Sequence, residues 1–156
     1  MHLPLDMHPE VGNNAVIAAK LGLEKLEPFG EYHGHMIGYR GVFTPDVSLT
    51  DVPSLLGLPN AEKYTLLPFG PNKVHSVGIV SGGAPRTVYE AMEKSLDLFI
   101  TGEASHEIYH PALEGEISVL FAGHYFTEIF GIQALKAHLE KEFSLDTHFI
   151  EVPTGL

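Results

Sequence analysis

The chain has 156 residues, with nine Lys and Arg against twenty Asp and Glu and a net charge of −11, a sign that argues against a broad contact with phosphate backbones, and nucleic acid is not an expected partner. It contains no Cys, which excludes disulfides, thiolate metal centres and a Cys nucleophile; any metal site must draw on Asp, Glu and the ten His. Hydrophobic residues make up 44% and charged residues 19%, the balance of one folded domain with a real core.

Met1 to Glu10 has neither a basic start nor a long apolar run, and no stretch approaches the ~20 apolar residues that span a bilayer. A cytoplasmic protein without a membrane segment is expected.

In chain order, His2 to Asp6 reads as a short buried strand ending on Asp6. Asn13 is placed to cap a helix running through Leu21, and Gly22 is its natural stop. Leu23 to Gly30 reads as a connector, and Glu31 to Phe43 as strand or hairpin. Ser48 or Thr50 heads a short helix through Leu56, closed by Gly57 and Pro59. Tyr64 to Pro68 and Lys73 to Val80 read as strands. A tight loop, Ser81 to Pro85, leads into a helix from about Arg86 to Leu96. Strands over Leu98 to Thr101 and Ile117 to Ala122 flank a helix over Ala104 to Leu113. A long helix from His124 to about Glu142 and a last strand, Thr147 to Val152, complete the chain. Strands alternating with helices predict a single α/β unit, with a mixed, largely parallel sheet and helices on its faces.

Several segments carry chemistry. In Gly123-His124-Tyr125-Phe126-Thr127-Glu128 a strand ends, a Gly turns the chain and a helix begins. His124 and Glu128 share one helical face, either as ligands of a divalent cation or as a plain His–Glu pair. Asp6, followed by His8 and Glu10, stands at a strand end as a ligand or as a cap for Gly12-Asn13-Asn14. Glu103, after the Leu98 to Thr101 strand, is an acid–base group, a partner that orients a ligating His, or a first-turn residue favoured by the helix dipole. Ser81-Gly82-Gly83-Ala84 reads as a tight strand-to-helix turn and lacks the spacing of a phosphate loop. His33-Gly34-His35 sets two imidazoles on one strand face, a further candidate metal pair.

His2-Leu3-Pro4-Leu5-Asp6 with Pro9-Glu10 and Gly12-Asn13-Asn14, then Thr101-Gly102-Glu103, then Gly123-His124-Tyr125 with Thr127-Glu128, together resemble the GTP cyclohydrolase I type 2 homologue family, also called Nif-three-like. The resemblance runs over nearly the whole chain. It implies an intertwined α/β fold, a ring-shaped homo-oligomer, commonly a hexamer, and a pair of divalent metals on the inner wall. It places metal ligands at Asp6, His124 and Glu128, with the Ser81 to Ala84 loop and Glu103 in segments near the site; if the protein is a hydrolase, Glu103 or a nearby His is expected to move the proton as the catalytic residue.

The family pattern also includes an earlier strand ending in two adjacent histidines, and no His-His pair occurs here. The chain therefore corresponds to the C-terminal two-thirds of the family fold. One ion of Zn, Mn or Fe, rather than two, is expected. Two functions follow: a metal-dependent hydrolase acting on a nucleotide or related small heterocycle, or a non-enzymatic ring-forming assembly or regulatory protein.

Overall fold

The computed structural model describes residues 3–58 and 63–154. Its centre is a six-stranded mixed sheet in the order β1-β2-β4-β5-β6-β3. The strands are β1 (Glu24–Tyr32), β2 (His35–Ser48), β3 (Thr65–Leu67), β4 (Lys73–Ile79), β5 (Leu98–Thr101) and β6 (Ser118–Phe121). β4, β5 and β6 run parallel, while β1, β2 and β3 are added antiparallel. The parallel character expected from the sequence is thus concentrated in the middle of the sheet.

The central strands are apolar on both faces, as burial on both sides requires. Leu98 and Ile100 of β5 point to one side, and Phe99 points to the other. The first side packs against α2 (Asn13–Leu21), α3 (Val52–Leu56) and α6 (His124–Phe143) through Ile17, Leu21, Val52, Leu56 and Phe130. The second packs against α4 (Val88–Glu93) and α5 (Tyr109–Glu114) through Val88, Ala91, Ile108 and Ala112. The result is a three-layer α/β sandwich.

Local departures from the sequence reading have physical causes. The segment with Asp6 is a helix, α1 (Leu3–Met7), not a strand. A five-residue apolar run carries no period that separates the two, and Pro4 suits a first helical turn. α2 is headed by Gly12 in extended conformation, not by a cap from the Asn13 side chain. Asn13 and Asn14 are committed elsewhere. The expected connector Leu23 to Gly30 is mostly strand β1, which tolerates Pro28 because it lies at the sheet edge.

His33 and Gly34 form the β1–β2 turn, both at positive φ, as a two-residue hairpin demands. They are therefore not a strand, and the proposed pairing of His33 with His35 on one strand face does not exist. The helix expected from Ala104 starts later, at Tyr109 after a 3-10 turn, which leaves Pro111 in its first turn where the lost N–H costs nothing. Likewise α4 begins only at Val88, after a 3-10 turn at Pro85–Thr87. Thr147 to Val152 is not a strand; it turns back along α6, tied to the Glu140 side chain and the Tyr125 hydroxyl in place of a ladder. Pro59 and His2 lie outside the described residues. Among the described residues, no helix is long and apolar enough to cross a membrane.

Candidate metal-binding site

The loops leaving the C-terminal ends of β4, β5 and β6 meet at one rim, where open α/β sheets gather their ligands. Their backbones are laced together. The Gly82 carbonyl accepts from the Gly102 and Glu103 N–H groups at 2.9 and 3.0 Å, and the Gly102 carbonyl accepts from Gly123 N–H at 2.9 Å. Thr127, fully buried in the first turns of α6, accepts from Gly82 N–H at 2.9 Å and donates back to the Gly123 carbonyl at 3.0 Å. These bonds fix the start of α6 against the other two loops.

His124 stands where they converge. Its Nδ1 is 2.6 Å from Glu103 Oε1, and its Nε2 is 3.0 Å from Glu128 Oε1, one turn along α6. Partial burial works against a charged ring, but the hydrogen bond to Glu103 and the nearby Glu128 carboxylate outweigh it. The His124 pKa is therefore raised above the ordinary histidine value.

Gly82 sits directly beneath this pair. A Cβ at that position would overlap Glu128 Oε1 and stand 3.3 Å from His124 Nε2, and the backbone there has φ +67°. Only glycine meets both demands. Gly82→Ala is expected to lose about 1–2 kcal/mol from left-handed strain alone. It should also push Glu128 off the imidazole, visible as a downward shift of the His124 titration followed by NMR.

Asp6 is reached through the same loop, from the other side. It is 5% exposed, and its Oδ1 accepts from Ser81 Oγ at 3.0 Å and Asn13 Nδ2 at 2.7 Å. Asn13 Oδ1 accepts from Gly131 N–H of α6 at 2.6 Å. Asn14, with no exposed surface, accepts from Ser81 N–H at 2.7 Å and donates to the Ile37 carbonyl at 2.7 Å. Asp6 and the His124–Glu128 pair are therefore held by consecutive residues, Ser81 and Gly82. Among the described residues, no group of three or more His, Cys, Asp or Glu side chains is arranged to hold a metal ion.

Asp6, His124, Glu128 and Glu103 thus gather around one short loop, but only the last three touch. The donor set fits a divalent cation in part. One imidazole nitrogen and one carboxylate oxygen face the same gap over a bare Cα, and a second carboxylate holds the far side of the ring, the arrangement that orients metal-ligating histidines. Three other described histidines are engaged elsewhere. His8 Nδ1 accepts from the N–H groups of Glu10 and Val11 at 3.2 and 3.1 Å, closing its own loop. His106 lies in the 3-10 turn before α5, and His110 packs edge-on to Tyr109.

Sequence reasoning missed Asn13, Asn14, Thr127 and Ser81 as the parts that fix the site. Two adjacent amides behind a glycine were the available signal, since buried amides are kept only where all their hydrogen bonds are met.

The family model for Duf34/NIF3 (NGG1p interacting factor 3) matches residues 1–155. The chain belongs to this family. A GTP cyclohydrolase 1 type 2 homolog from Deinococcus radiodurans is 42% identical over 155 residues, 99% of this chain and 59% of that protein. The Pyrococcus horikoshii homolog is 47% identical over 158 residues, covering 100% and 62%. Among solved structures, the crystal structure of a Thermus thermophilus protein superposes with a TM-score of 0.86 at 39% identity, covering 99% of this chain and 60% of the other. The Duf34/NIF3 chain thus spans about three-fifths of the length of these relatives.

Proposed function

We propose that this Duf34/NIF3 chain carries part of a divalent-metal site and serves metal-assisted hydrolysis of a small heterocyclic substrate. The observation that carries the reading is the placement of His124 Nε2 and Glu128 Oε1 across one gap above Gly82, with Glu103 on His124 Nδ1. His124 and Glu128 would hold the ion, Zn, Mn or Fe by donor chemistry, and Asp6, tied on the other side of the loop by Ser81 and Asn13, would join as a third ligand on giving up its bond from Ser81 Oγ. When bound, such an ion supplies Lewis-acid polarisation and lowers the pKa of water.

The chain's own residues prepare the site. Glu103 Oε1 accepts from His124 Nδ1–H, so that when the Nε2 proton, which Glu128 holds in the absence of an ion, is displaced, the tautomer left is the one whose Nε2 lone pair can serve a metal. In this reading Glu103 serves as the proton carrier from across the ring, by way of His124 and not from within the gap. The relatives' names contain GTP, which supports a nucleotide or related heterocycle as the substrate class.

The test is elemental analysis of the purified chain beside an Asp6→Ala/His124→Ala double variant, each dialysed against zinc. The unchanged chain is expected to retain close to one ion per chain and the variant close to none. Equal content in the two would end the metal reading.

A second reading, a ring-forming assembly protein with a structural ion, draws on the β1–β2 hairpin, which leaves Leu26, Tyr32 and Met36 more than 40% exposed. Metal retention with self-association, and no turnover of any nucleotide or pterin, would favour it.

A further inference from the structure

The chain after α6 reverses at Ser144, which takes the left-handed conformation, and returns along the helix. It is strapped at two points. Thr147 Oγ1 donates to Glu140 Oε1 at 2.8 Å near the end of α6, and Val152 N–H donates to the Tyr125 hydroxyl at 3.1 Å near its beginning. Between strap and helix lies a hollow of about 520 Å³. Its walls are Ile129 and Ile132 of α6 and Phe149, Ile150 and Val152 of the strap. One end is closed by Glu103, His124 and Glu128.

Ile150 and Val152 are 79% and 64% exposed, so the returning strap holds its apolar side chains in water rather than in a core. A concave apolar space that ends on a few convergent polar groups is the usual form of a small-molecule site. A flat face suited to a second copy would not close on those groups.

We infer that this hollow binds a small amphipathic ligand whose apolar, ring-sized body lies between α6 and the strap, and whose oxygen-donor head reaches the His124–Glu128 gap. The inference rests on the metal reading, because two carboxylates would otherwise repel an anionic head. It assigns selectivity for the body to Ile132 and Val152, which touch neither His124 nor Glu128 in any hydrogen bond or ion pair described above.

The experiment uses two probes with one head group, 2-naphthohydroxamic acid and acetohydroxamic acid, titrated calorimetrically into the zinc-loaded chain. The naphthyl compound is expected to bind at least ~10-fold more tightly, because only it buries an apolar body. An Ile132→Asn/Val152→Asn variant, both positions being exposed, is expected to keep its zinc and lose that ratio. Zinc retained with equal affinity for both probes, or a ratio unchanged in the variant, overturns the hollow as a ligand site and leaves the metal reading standing. A chain that retains no zinc overturns both. Loss of the naphthyl preference together with a wild-type dimer that the variant dissolves assigns the strip to a second copy instead, and also overturns the inference.

Discussion

Asn14→Ala is expected to unfold at a temperature on the order of 10 °C below that of the unaltered chain. Asn14 is fully buried and bridges three elements: its Oδ1 takes the Ser81 N–H, and its Nδ2 serves the Ile37 carbonyl of β2, with a longer bond to the Asp6 carbonyl at 3.3 Å. Alanine removes both ends and leaves a donor and an acceptor without partners in a site too tight for bulk water. Each orphaned group costs roughly 1–3 kcal/mol, so the sum for the two is about 2–6 kcal/mol. For a domain of this size, each kcal/mol moves the midpoint by roughly 2–4 °C. Chemical denaturation with an exposed control, Lys141→Ala, provides the measurement. A loss smaller than about 1 kcal/mol would mean the amide is not the clamp described here.

His124→Ala is expected to abolish metal retention, whereas Glu103→Gln should weaken it by roughly 10–100-fold, the usual cost of removing a partner that orients a ligating histidine. Competition against a chromogenic chelator gives both affinities. The same pair predicts opposite pH trends. Without metal, the His124 proton is held more tightly than in the unfolded chain, by Glu103 and Glu128 against partial burial. The stability this contributes is fully present below the ordinary histidine pKa and fades as pH rises through the raised folded value. Metal needs the unprotonated ring, so affinity should instead climb over that interval. In Glu103→Gln, both transitions should move to lower pH. Equal affinity of Glu103→Gln and the unaltered chain would remove Glu103 from the site.

Much of the parallel centre is legible because β5 and β6 are short, mostly apolar runs that lead into Gly102 and Gly123, and β4 turns apolar from Val77 ahead of Gly82: the sequence reading of Leu98–Thr101 matches the strand, and those of Ser118–Phe121 and Lys73–Ile79 differ by a residue at most at each end. The start of α6 at His124 was equally clear, since Gly123 marks the turn. The edge was not. β1 carries Glu24, Lys25, Glu27 and Pro28, charges and a proline that protect an open sheet edge and erase the strand's alternation. The helix around Asp6 and the returning strap escaped for a related reason: their conformation is decided by what they pack against, not by their own pattern.

At the site, the chemistry-bearing side chains can be picked out singly, because residue type is a local fact, and so is the position of Glu103 and His124 just after strands; Asp6 is picked out by type although it lies in a helix. How Asp6 relates to His124 is not local. It is set by Ser81 and Gly82, a loop read from sequence as a mere turn, whose two residues lean on opposite clusters.

That loop and its neighbours share their amide protons around two carbonyls, Gly82 and Gly102. No one of the three can lift away from the rim without breaking the others' bonds. In deuterated solvent, the amides of Gly82, Gly102, Glu103 and Gly123 should therefore trade their hydrogens late and at a common pace. The rim would then open as a single hatch rather than residue by residue.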